Sequence, residues 1–168
     1  METTTTPQIS LPDTIGPHAR VWIYQSDREL TAKESEELNA AARAFTTEWQ
    51  AHGTNLIADH GLYFNRFLAL FVDESEHNAS GCSIDASLRF IQAIEKKFGI
   101  NLLGRTQVAY IENDQVKTME MNQLDSFSKS GKIDTQTLVF NNLVATKSQM
   151  ETSWIGPLSE SWHARIIS

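Results

Sequence analysis

The sequence predicts a single-domain α+β protein with a ferredoxin-like β-α-β-β-α-β core and a C-terminal β/α extension. Three observations predict it. Runs rich in β-branched and aromatic residues stand at 20–25, 54–74 and 106–119. Two capped amphipathic segments separate these runs. No repeat, linker or low-complexity block interrupts the chain after residue 17. With 168 residues, 40% hydrophobic and 21% charged, the chain is one domain in size and can bury a core.

The elements follow in order. Residues 1–17 hold a run of four Thr and three of the four Pro with little periodicity, and are read as a flexible arm before a domain spanning 18–168. RVWIYQ (20–25) is a short buried strand. Thr31 and Glu34 form a capping box ahead of Leu38, Ala42, Phe45 and Trp49, with Gly53 as the stop. Residues 54–74 hold two strands joined tightly at His60–Gly61 or Asn65–Arg66, and FLALFV (67–72) suits a central strand covered on both faces. A second helix carries Ile84, Leu88, Ile91, Ile94 and Phe98 on its core side and ends at Gly99. Residues 106–119 read as a hairpin turned at Asn113–Asp114. The extension adds a short helix near 122–129, a strand over 137–144, a helix capped by Thr146 and Gln149, and an aromatic tail.

Composition narrows the function. Fourteen Lys and Arg stand against 21 Asp and Glu, a net charge of −7, with no basic cluster to neutralise phosphates. Nucleic acid and anionic membrane surfaces are therefore not expected as partners. There is no apolar run of the roughly 20 residues a bilayer demands, and the N-terminus lacks the basic start and apolar core of a secretory signal. A single Cys makes no internal disulfide, so a reducing cytoplasm is the expected location. No metal or other cofactor is expected: the five His make no helical zinc motif, and the chain has no P-loop, GxGxxG or GxSxG.

Few residues suggest chemistry. Cys82, the only Cys, enters the second helix beside Gly81, where first-turn N–H groups favour a thiolate or an anion. Ser83 and Asp85 read as cap and first-turn carboxylate. Burial against Ile84 and Leu88 is expected to dominate at Cys82 and leave the thiol inert. His163, in SESWHAR, either pairs with Cys82 as a base or anchors the tail through a hydrogen bond to a carbonyl. Arg66 could clamp a carboxylate or phosphate, or pair with a surface acid. Asn141 and Asn142 interrupt an apolar strand and either tie down a loop or read a ligand.

VWIYQS (21–26), GCSIDASLRFIQ (81–92), VFNNLV (139–144) and SESWHAR (159–165), taken together, resemble a family of small bacterial proteins often described as ABC transporter ATPases. The resemblance spans nearly the whole chain after the arm, and it implies no activity. The chain has no Walker A loop, Walker B strand or LSGGQ-type signature, so the description does not extend to these residues. The expected function is a binding module for a small anion or a protein. The alternative is a thiol-dependent enzyme using Cys82, with or without His163.

Overall fold

The computed structural model describes residues 5–167. Strand β1 (Arg20–Gln25) leads to helix α1 (Ala32–Glu48). The Thr31 hydroxyl accepts from Glu34 N–H at 3.1 Å while the Glu34 carboxylate accepts from Thr31 N–H at 2.9 Å, so the capping box closes in both directions. Arg28 grips the same carboxylate through two nitrogens at 2.8 and 2.7 Å, and these bonds hold the Glu34 carboxyl down at about 2.

The helix ends at Glu48, ahead of Gly53. Trp49 turns extended, and β2 (Gln50–Ala51) and β3 (Thr54–Asn55) form a small hairpin that the sequence reading did not include. His52 and Gly53 both have positive φ, the requirement of a tight hairpin turn, so Gly53 serves this turn and not the helix end. Strands β4 (Ile57–Tyr63) and β5 (Phe67–Asp73) pair antiparallel. Their turn is centred on Phe64 and Asn65, one residue before the later of the two expected positions, with Arg66 N–H donating to Tyr63 O at 3.0 Å. In β4 the Tyr63 ring lies over Gly61, where a Cβ would collide with it.

Helix α2 (Gly81–Phe98) starts from Ser80 and ends on left-handed Gly99, whose N–H reaches Glu95 O. Its buried face is Ser83, Ser87, Ile91 and Ile94. Ile84 and Leu88, expected on the core side, are 36% and 41% exposed. Strands β6 (Gln107–Glu112) and β7 (Gln115–Glu120) make the expected hairpin, with Asn113 and Asp114 both left-handed at its turn. Helix α3 (Leu124–Lys129), β8 (Leu138–Phe140), α4 (Lys147–Ser153) and β9 (Ile155–Pro157) complete the chain before two short 3₁₀ turns. The strand expected over 137–144 stops at Phe140, because Asn141 and Asn142 begin a turn.

The fold is mixed α+β, and the strands divide between two main antiparallel sheets. The first has the order β1-β5-β4, which agrees with three strands of the expected core. The fourth, β6, does not join it, and lies in a second sheet of order β7-β6-β8-β9. Alternation explains the layering. Phe67, Ala69 and Phe71 of β5 share one cluster with Ala109, Ile111, Leu138 and Phe140, so the sheets pack face to face. Leu68, Leu70 and Val72 point the other way and are covered by α1 and α2 through Leu38, Ala42, Ile91 and Ile94. Val108, Tyr110 and Val139 face outward from the second sheet onto Leu124 of α3, Ile133 and Leu158. The succession is helices, sheet, sheet, then α3 with the tail.

The free edge of β1 is closed by the segment after β8: Val21 N–H donates to Ala145 O at 3.0 Å, and Arg20 bridges Thr146. Of the arm read over 1–17, residues 1–4 lie outside the described residues. From 5 onward it lies against the sheets, with Ile9 and Leu11 half-buried, Ile15 buried, and Ser10 O accepting from the Tyr63 hydroxyl at 3.1 Å.

Candidate functional site

The residues singled out from sequence fall into three places. Gly81, Cys82, Ser83 and Asp85 stand at the start of α2. Gly81, Cys82 and Asp85 are exposed and Ser83 is buried. Ser80, not Ser83, is the cap, and the two exchange bonds: Ser83 N–H donates to Ser80 Oγ at 3.1 Å and Ser80 N–H to Ser83 Oγ at 2.6 Å. Ser83 O accepts the Trp49 indole N–H at 2.8 Å, so this serine builds the core. Asp85 lies beyond the first turn, which holds no acidic residue. The expected burial of Cys82 fails: the thiol is exposed, and Ile84 and Leu88, which turn partly outward, do not cover it. Glu74, ion-paired to Arg20 at 3.5 Å, accepts from Ala79 N–H at 2.8 Å just ahead of α2, and exposed Asp85, unpaired among the described residues, is the carboxylate that disfavours an anion there.

His163 lies elsewhere. It is 2% exposed, in a 3₁₀ turn between Leu158 and Ile167, which pack on the outer face of the second sheet. Cys82 belongs to the helix layer over the outer face of the first sheet, so both sheets stand between them and they form no thiol–imidazole pair. The ring of His163 stacks on Trp162 at 3.8 Å, and its Nδ1 lies 2.9 Å from the Ser161 hydroxyl, in place of the expected carbonyl. Burial lowers its pKa to about 4, which keeps the imidazole neutral. Such a weak base is a poor activator of Ser161 at neutral pH.

Arg66 and Asn142 do share a neighbourhood, around Gln25 and Ser26. Arg66 Nη1 reaches Ser26 O at 3.5 Å and its O accepts from Ser26 N–H at 2.8 Å; burial shifts the guanidinium pKa down. Asn142 donates to Gln25 Oε1 at 2.8 Å and accepts from the Trp154 indole at 2.9 Å. Asn141 accepts from Leu143 N–H at 3.1 Å, holding the turn after β8. All three stitch loops to the sheets.

Two clefts were not visible in the sequence. The first, about 440 Å³, lies at the β8–β9 end of the second sheet and is lined by Asn141, Glu151–Pro157, Glu160 and Ser161, with Thr6 and Val139. Val139 stands opposite Gly156, and a Cβ at Gly156 would meet nothing within 4 Å, so the missing side chain leaves the cleft open. Asn141 N–H donates to Trp154 O and Leu158 N–H to Thr137 O. By strand parity this turns the N–H and C=O of Ile155 away from β8, along the open edge of β9. Among the described residues, the only charged side chains in the lining are two exposed carboxylates, Glu151 and Glu160. The second cleft, about 500 Å³, lies between the arm and the two hairpin turns, with Phe64, Ile111, Asp114 and Val116 in its lining. The available signal for the first was the Gly-Pro pair at 156–157, which reads from sequence as part of the tail.

Among the described residues, no group of three or more His, Cys, Asp or Glu could hold a metal ion, and no helix is long and apolar enough to cross a membrane. No protein-family model, curated protein or solved structure matches the chain.

Proposed function

We propose that this protein is a non-catalytic binding module that takes an extended, positively charged segment of a partner protein along the edge of β9. The observation that carries this reading is the cleft over Gly156. It joins a short unpaired strand edge, whose outward groups are the N–H and C=O of Ile155 and the C=O of Pro157, to two carboxylates with no cation among the described lining residues. Of the two ligand classes expected from sequence, a protein is favoured over a small anion, because both the cleft and the start of α2 present carboxylates.

The test is an amide-shift titration with a short capped peptide alternating Lys and Val, set against the same peptide with Glu for Lys. The basic peptide should move the amides of Ile155, Gly156 and Glu160, and Gly156→Leu should abolish the shifts while the protein stays folded. Equal binding of both peptides, or shifts unaffected by Gly156→Leu, would refute the reading.

A further inference from the structure

The second cleft lies between two tight hairpin turns whose central residues are left-handed, as such turns require. Phe64 has φ 56° and Asp114 φ 62°, and each belongs to a turn whose other central residue is also left-handed, Asn65 at 50° and Asn113 at 52°. Asn and Asp tolerate this region, but a bulky aromatic does so only where its surroundings hold it. Here the two turns, one from each sheet, contribute half-buried Phe64 and exposed Asp114 to one open cleft of about 500 Å³, a volume in the range of small-molecule sites. The Phe64 ring is itself fixed from behind, edge-on to Phe67 and Phe140 at 6.2 and 5.5 Å. Ile111 and Val116 add apolar wall, Thr5–Gln8 of the arm close one side, and among the described residues Asp114 is the only charged one of the lining. Asp114 has no ion-pair partner among the described residues, whereas nearby Lys117 is engaged by Glu112 at 3.2 Å.

We propose that this cavity binds a small free aromatic amine. Its ring would rest on Phe64, Ile111 and Val116, and its ammonium group would face Asp114. A ring alone would find apolar contact but leave the carboxylate unused, and an anionic aromatic would meet Asp114 with like charge. A cation near the face of Phe64 gains further attraction from the ring. The two clefts share only Thr6 of the arm, and neither Asp114 nor the apolar wall of Phe64, Ile111 and Val116 belongs to the β9 cleft, so either reading can fail without the other.

The experiment titrates the full chain with phenethylamine, phenylacetate and butylamine and follows amide and methyl shifts. Phenethylamine should move the amides of Phe64 and Asp114 and shift the methyls of Ile111 and Val116 upfield through its ring current. Phenylacetate and butylamine should each bind at least about fivefold more weakly, since one repels Asp114 and the other lacks a ring. Asp114→Asn keeps a residue suited to left-handed backbone, so it should fold normally and weaken phenethylamine about fivefold or more. The proposal is overturned if phenylacetate binds as well as phenethylamine, if Asp114→Asn changes nothing, or if the wild-type shifts map outside this cavity.

Discussion

The indole N–H of Trp154 donates to Asn142 Oδ1 at 2.9 Å, and the Asn142 amide donates in turn to Gln25 Oε1 at 2.8 Å. Trp154 is wholly buried among Tyr63, Phe67 and Phe140, so this one side chain ties the aromatic centre of the sandwich to the edge of β1. Asn142→Ala should leave a buried indole N–H unpaired and cost about 1–3 kcal/mol in urea denaturation. Asn142→Asp keeps an acceptor for the indole and should cost less. If the two variants denature alike, the indole bond contributes nothing measurable.

The arm should divide at Ile9. Deleting residues 1–8 removes no buried apolar side chain of the described segment and should cost less than about 1 kcal/mol. Deleting 1–15 also removes half-buried Ile9 and Leu11, buried Ile15, and the carbonyl that accepts from the Tyr63 hydroxyl. Loss of one buried aliphatic side chain alone is worth roughly 2–5 kcal/mol, so the longer deletion should be markedly less stable. Equal midpoints for the two truncations would show that Ile15 and its neighbours carry no packing energy.

Cys82 is exposed at the second position of α2, so native protein should react with a thiol reagent within a few fold of the unfolded chain. Cys82→Ser touches no buried contact and should shift stability by no more than about 0.5 kcal/mol. A rate accelerated only by unfolding would contradict the exposed placement.

What could be read from the sequence divides along physical lines. Local signals carried through: the Thr31–Glu34 box, Gly99 and the Asn113–Asp114 turn each depend on neighbours within a few residues, and each forms as read. Partners distant in sequence did not. The βαββαβ order is compatible with one sheet, but the alternation in β6 buries both faces, Ala109 and Ile111 on one and Val108 and Tyr110 on the other, and this also fits a strand in a second layer. Ile84 and Leu88 follow helical spacing as well as Ser83 and Ser87 do. The Trp49 indole on Ser83 O helps fix the serine side inward, and no helical periodicity reports that bond. The second cleft was hidden for a similar reason, since it is assembled from segments far apart in the chain, whereas the first is built mostly from residues 139–161 and depends on how β8 and β9 pair.

Acid should destabilise this protein in two separable steps. His163 is buried, and its pKa falls to about 4 against 6.5 for an ordinary histidine. The unfolded state therefore binds more protons between these values, and stability must fall as pH drops from about 6.5 toward 4. Over that interval the gap corresponds to about 3 kcal/mol. His60, whose pKa is also lowered by burial, adds with the same sign. Glu34 acts below this window: Arg28 holds its carboxyl at about 2, so its contribution is complete above the ordinary glutamate range and lost only as pH falls toward 2. His163→Gln preserves an acceptor for Ser161 but cannot take up a proton. The difference in unfolding free energy between wild type and His163→Gln should therefore shrink by about 3 kcal/mol from pH 7.5 to pH 4. His60 and Glu34 contribute equally to both proteins and cancel in that difference. A difference that stays constant with pH would show that His163 titrates normally, as it would if the ring it stacks on, Trp162, swung away and admitted water.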